Sequence, residues 1–458
     1  MGNAMSVIWA EQALTAKGWA RDVKVEIDDA GRISGVTPGS AAQGTRVATL
    51  LPAPVNVHSH AFQRAMAGLT ERRGPDPRDT FWTWRQLMFA FLDRLTPDDV
   101  QAIAAFVQME MLEAGYACNA EFHYLHHAPG GAHYDDLAEM SGRIVSAAEE
   151  TGIGLTLLPV HYQYGGCDRR ALGPGQIRFG NDIDRFAELW AKAGDMIAGH
   201  RADAVIGVAP HSLRAVSGEG LAACIEMAGK RPLHMHLAEQ LAEVEEVRAA
   251  WRRRPVEHLL EVAEPRSSWC LIHCTQMLPH ETVGLAETGA VAGLCPLTES
   301  NLGDGIFDGM RWADAGGRIA IGSDSNIRIA LAEELRVLDH SQRLRDHTRA
   351  AFATPEQSTG RRLYEEILRG GAHAAGRGRA GIAIGNWADL LGLDGGHVDL
   401  EAREGDTLLD CWIFAGDDRM VRDVWSAGRH LVSDGQHMAR EAITQRYRTT
   451  IAGLRDAL

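Results

Sequence analysis

Between residues 50 and 375 the chain alternates short apolar runs with amphipathic segments of helical period. Eight runs can be counted, at 50–60, 117–124, 154–162, 204–212, 232–239, 269–275, 290–296 and 318–326. Near-continuous apolar runs suit strands buried on both faces, and parallel strands need crossover connections that are usually helical. Segments 98–114, 135–150, 182–198 and 331–345 have the period to supply such helices. Eight strand–helix units are the number that closes a (β/α)8 TIM barrel, which keeps its chemistry at the C-terminal strand ends.

The flanks read differently. Residues 7–36 form short alternating stretches broken by Asp28-Asp29-Ala30-Gly31, a hairpin signal. After Ala380 the chain again looks strand-rich, at 382–394, 406–414 and 421–432, and 440–458 reads as a closing helix. The expected fold is therefore α/β, a barrel with a small β-sandwich domain built from both chain ends. Residues 1–50 and 378–439 would form that domain, 51–377 the barrel and 440–458 the helix. Met1-Gly2-Asn3-Ala4 is assigned no role. A barrel with one appended domain accommodates 458 residues, more than one core usually organises.

The net charge of −15, with no run rich in Lys or Arg, argues against nucleic-acid and anionic-membrane partners. A small anionic substrate would need locally placed arginines. No signal-like or bilayer-length apolar segment is apparent, so a cytoplasmic location is expected. Seven cysteines without paired spacing read as reduced thiols.

The polar residues at the run ends carry the chemistry. His58 and His60, two apart on a strand, point to one side and can share an ion. In the fifth run His236 lies nearer the C-terminal edge than His234, so His236 is the expected ligand and His234 a hydrogen-bonded core residue. Asp324 ends the eighth run, where a carboxylate is costly unless paired or metal-bound. Three imidazoles and one carboxylate suit one zinc ion per chain, with Fe2+ or another divalent metal as alternatives. Glu239, just past the fifth strand, can act as acid and base beside a metal-activated water. His273, ending the sixth run, is either a further ligand or the group that holds this water. The open position of a catalytic zinc favours the second role. Gly376-Arg377-Gly378-Arg379-Ala380-Gly381 fits G-x-G-x-x-G but precedes a strand, so the basis for dinucleotide binding is missing.

Arg214 follows the fourth run and Arg85 lies on the long segment after the first; both can clamp carboxylates through forked hydrogen bonds. Gln63 and Tyr124 would add neutral hydrogen bonds, and Arg328 offers a third cation.

The metal pattern, HSH on strand one, HxxE on strand five, His on strand six and SD on strand eight, resembles the amidohydrolase superfamily in its mononuclear-zinc deaminase branch. No lysine ends the fourth strand, which disfavours a bridged two-metal centre. More specifically, residues 58–65 (HSHAFQRA), 121–127 (EFHYLHH), 234–240 (HMHLAEQ) and 298–305 (TESNLGDG) are similar to the formimidoylglutamate deiminase family. That resemblance implies hydrolysis of N-formimino-L-glutamate to N-formyl-L-glutamate and ammonia, a step of histidine degradation, in a homodimer. It also implies substrate contacts at Gln63, Arg85, Tyr124, His211 and Arg214. Deaminases of purines, pyrimidines or triazines would share the metal residues but favour an aromatic-lined pocket over paired arginines. A non-enzymatic barrel would be expected to have lost ligands.

Overall fold

A computed structural model describes residues 6–71 and 81–456; Met1–Ala4 lies outside them. Each of the eight apolar runs contains a parallel strand. These are β1 (Val55–Ser59), β2 (Cys118–His123), β3 (Gly154–His161), β4 in two pieces (Val205–Ile206 and Ala209–Pro210), β5 (Leu233–Leu237), β6 (Trp269–His273), β7 (Val291–Leu294) and β8 (Arg318–Ile321). Hydrogen bonding links β1 through β4 in order, and β5 through β8 in order. Single parallel bridges, Val208 with Leu233 and Ser59 with Asp324, pair residues between the two groups. The expected helices lie between strands, at Pro97–Glu113, Glu139–Thr151, Ile183–Ala198 and Leu331–Asp346. Thr96 starts the first of them with a capping box: its hydroxyl accepts from the Asp99 N–H, and the Asp99 carboxylate accepts from the Thr96 N–H.

The first apolar run does not stay in one sheet. Its opening residues belong to Thr45–Pro52, which pairs with Ser6–Thr15 and Leu390–Leu393, and β1 begins only at Val55. Pro52 and Pro54 lack the N–H that would continue the ladder. The terminal strands form one eight-stranded path where two facing sheets were expected: Gln436–His437, Arg429–Ser433, Val421–Ser426, Leu390–Leu393, Thr45–Pro52, Ser6–Thr15, Gly18–Ile27 and Ile33–Thr37. The expected hairpin joins the last two, where Asp28 accepts from the Ala30 and Arg32 N–H groups. Gly31 takes φ +78 there, and a Cβ at this position would meet the Ala427 carbonyl at 2.1 Å.

Residues 406–414, expected as a strand, are a helix, Gly405–Phe414. Its buried residues Leu408, Leu409, Trp412 and Ile413 repeat every four positions, which places them on one helical face. The closing helix is Arg440–Asp456. The glycine-rich segment after Ala375 is a junction: Arg377 is buried and ion-paired to Asp203 and Asp389. No helix among the described residues is long and apolar enough to cross a membrane.

Candidate active site

His58, at the end of β1, is buried, and its Nε2 lies 3.1 Å from the His236 Nε2 at the end of β5. Asp324, just past β8, places one carboxylate oxygen 3.3 Å from the His58 Nε2 and 3.2 Å from the His60 Nε2. The four residues offer one ligand atom each, all within 4.8 Å of one another.

The second ring nitrogens fix the tautomers. His60 Nδ1 donates to the Phe122 carbonyl at 3.0 Å, and His236 Nδ1 to the His211 carbonyl at 3.1 Å. Their Nε2 lone pairs therefore converge on each other and on a carboxylate, an arrangement that a cation satisfies. Burial pushes the His58 imidazole down to about 3, so it stays neutral and able to ligate. Burial would raise Asp324, but the surrounding imidazoles outweigh it and hold the carboxyl well below its ordinary range. The donor set thus fits a divalent metal of zinc type.

The local backbone is strained in the same place. Ala238, His273, Cys274, Asp324 and Asn326 all have positive φ, between 47 and 72°, at the ends of β5, β6 and β8. Asn326 ties β8 to β1: its Nδ2 donates to Ser59 Oγ at 3.1 Å, and its Oδ1 accepts from Ser323 Oγ at 2.6 Å. Ser323 Oγ also accepts from Asn56 Nδ2 at 2.6 Å. On β2, Glu121 accepts from the Ala61 N–H at 2.7 Å and from Asn119 Nδ2 at 3.0 Å, anchoring the turn Ala61–Met66 that follows His60.

Above the cluster opens a cavity lined by Glu239, His273, Gln63, Arg85, Tyr124, His211 and Arg214. Glu239 and His273 stand beside Asp324. His273 Nε2 is 3.9 Å from Glu239 and 4.0 Å from Asp324, and its Nδ1 is 3.2 Å from Glu299. Burial alone would lower His273, but Glu239, Glu299 and Asp324 outweigh it and raise the ring to about 10. Burial foremost raises Glu239 to about 7. Gln63 Nε2 donates to the Tyr124 hydroxyl at 2.9 Å, and Arg85 to the Tyr162 hydroxyl at 2.8 Å. His211 and Arg214, both past β4, complete that wall. His234 lies deeper, against the Ala374 carbonyl at 2.8 Å, as the core reading expects. Arg328 does not line the cavity; it pairs with Glu333 and is largely exposed.

Tyr162 and Glu299 are residues of this region that the sequence reading does not single out. Tyr162, a cavity-lining residue, directly follows β3, so the strand-end rule applies to it as it does to Tyr124. Glu299 lies inside the segment 298–305 but reveals its contact with His273 only in three dimensions.

Comparison with known proteins agrees with this geometry. The sequence pattern of the amidohydrolase family matches residues 49–431, and that of the formimidoylglutamate deiminase HutF N-terminal domain matches residues 5–46. A formimidoylglutamate deiminase of Pseudomonas aeruginosa is 44% identical, the match covering 99% of this chain and 100% of the relative. The crystal structure of an amidohydrolase from Brucella melitensis superposes with a TM-score of 0.95 at 43% identity, over 98% of this chain and 99% of the other. An adenosine deaminase from Xanthomonas campestris, solved with bound zinc, shares the fold at TM-score 0.81 and 21% identity, over 98% of each chain. The chain belongs to the amidohydrolase family, in the branch of the formimidoylglutamate deiminases, and is a hydrolytic enzyme of that family.

Proposed function

We propose that this protein hydrolyses N-formimino-L-glutamate to N-formyl-L-glutamate and ammonia, with His58, His60, His236 and Asp324 holding one zinc ion. The eight parallel strands are read as a closed (β/α)8 barrel, with the site at its C-terminal mouth. The observation that carries the substrate is the pairing of two arginines, Arg85 and Arg214, on the wall of a cavity floored by the histidine–aspartate cluster. Guanidinium groups match carboxylates in charge and in forked geometry, and formiminoglutamate carries two carboxylates remote from its reacting carbon.

A divalent ion at the cluster supplies Lewis acidity that makes water nucleophilic at neutral pH. Glu239, with its carboxyl raised to about 7, exchanges protons readily at that pH. It takes a proton from the attacking water and delivers one to the departing nitrogen, which leaves as ammonia. His273, held through Nδ1 by Glu299, turns its Nε2 toward Glu239 and Asp324 and orients the water between them. Gln63, Tyr124 and His211 hydrogen-bond the substrate, while the arginines fix its formimino carbon over the cluster. That contribution is one of positioning.

Product analysis tests the reading. N-formylglutamate and ammonia in equal amounts are expected, with no release from guanine, cytosine or adenosine. Free glutamate with formamide would mean cleavage on the other side of the formimino carbon. Ammonia from a nucleobase would reject the substrate.

A further inference from the structure

Beside the four-residue cluster, His273, Cys295 and Asp324 also bring one ligand-type atom each to within 4.8 Å of one another, all buried. The proposed reaction uses His273 and Asp324 but gives Cys295 no task. Cys295 sits directly after β7, at the N-terminus of the helix Pro296–Leu302. One carboxylate oxygen organises this corner: Glu299 Oε1 accepts from the Cys295 N–H at 2.8 Å and lies 3.2 Å from His273 Nδ1. A carboxylate on the far nitrogen of a histidine is the arrangement that orients metal-binding imidazoles, and it turns Nε2 toward Asp324.

The two oxygens of Asp324 divide between the clusters. One lies within 3.3 Å of both His58 and His60, while the other is the oxygen that faces His273, at 4.0 Å. Glu239, 3.9 Å from the same His273 nitrogen, adds further negative charge on the cavity side. Sulfur, imidazole and carboxylate together select a soft or borderline divalent ion, whose bonds of about 2.0 to 2.3 Å span these separations after small side-chain adjustments.

We propose that His273, Cys295 and Asp324 form a second, inhibitory site for a soft divalent cation such as Zn2+, Co2+ or Cd2+, loaded only when metal exceeds the first equivalent. Binding replaces the thiol proton of Cys295 by a metal–sulfur bond and the Nε2 proton of His273 by a metal–nitrogen bond, and both protons leave to solvent. The ion also ties up the Nε2 of His273 and a carboxylate oxygen of Asp324 at the cavity floor, where the reacting group must lie, so inhibition is competitive with substrate. The site needs no bridging lysine. It rests on the four-residue cluster being the first metal site, and metal content measured before the second addition tests that reading separately.

The test is a Co2+ titration of the enzyme already holding one equivalent of metal. A second equivalent should bind with a thiolate-to-cobalt absorption band, while the apparent KM rises in parallel. In Cys295→Ala the band should vanish and the inhibitory concentration should rise about 100-fold or more, a loss at least as large as outer-sphere changes produce at metal sites. The first equivalent and turnover should be retained. Cys295→Ser serves as the second variant if the alanine protein loses its first equivalent. A thiolate band or an inhibition unchanged in a variant that keeps its first equivalent would overturn the proposal, as would a wild-type enzyme that takes up no second ion.

Discussion

At the scale of single residues, Glu239 and Arg214 separate chemistry from positioning. Glu239→Gln keeps the shape and hydrogen-bonding reach of the side chain but cannot carry the proton. It should lower kcat by about 10²- to 10⁴-fold while leaving metal content and KM near normal. Steady-state kinetics with metal analysis checks this, and near-normal kcat would remove Glu239 from proton transfer. Arg214→Ala should instead raise KM by about 10- to 100-fold, as expected for losing a hydrogen bond to a charged group worth roughly 1.5 to 3 kcal/mol, with metal content unchanged. An unaltered KM would end the carboxylate-clamp role. These residues were legible because strand geometry is local: a period of two puts His58 and His60 on one side, and depth along β5 separates His236 from His234. Glu299 was not, since its partner is 26 positions away in sequence and nothing in the segment 298–305 points toward His273.

At the scale of elements, the seam between β1 and β8 holds the site in register. Asn326 stands at φ 55, a conformation that Asn tolerates better than most residues, and bridges Ser59 and Ser323 while Ser323 is held by Asn56. Asn326→Ala should lower the melting temperature and weaken metal binding by about 10- to 100-fold, because the segments carrying His58 and Asp324 lose their tie. Thermal melts and competition against a chelator read both effects, and unchanged metal affinity would mean that the seam does not position the ligands. The strand positions within 50–375 are readable as apolar runs, whereas residues 406–414 read as a strand and form the helix Gly405–Phe414. Short apolar runs do not distinguish the two states unless the period is weighed, and Leu408, Leu409, Trp412 and Ile413 carry a helical one. The passage of the chain between sheets at Pro52–Pro54 is not legible in the sequence because the apolar character continues across it.

At the scale of the whole molecule, a buried ion network joins the terminal sheet to the parallel strands. Arg377 donates to Asp389 at 2.7 and 2.8 Å and to the Asp203 carbonyl at 2.8 Å, while Arg429 reaches the Asp203 carboxylate at 2.6 Å. Arg377→Ala leaves the buried Asp203 and the part-buried Asp389 without that partner and should cost about 3 to 5 kcal/mol, measured by denaturant unfolding. Burial pushes the Asp203 carboxyl up, but Arg429 and Arg377 outweigh it and hold it below its ordinary value. Its folded pKa therefore lies under the unfolded value of about 3.9, so its stabilising contribution is present above that pH and is lost as pH falls through the folded value. Asp203→Asn should remove this part of the acid sensitivity, and an acid transition identical to that of the parent would contradict the assignment. The central claim, that distant strand ends meet around one divalent ion to hydrolyse a formimino group, is tested most directly by ammonia release from N-formimino-L-glutamate with and without a chelator. The account predicts turnover that disappears on metal removal and returns with one equivalent of zinc per chain, and turnover that persists in fully metal-stripped protein would contradict it.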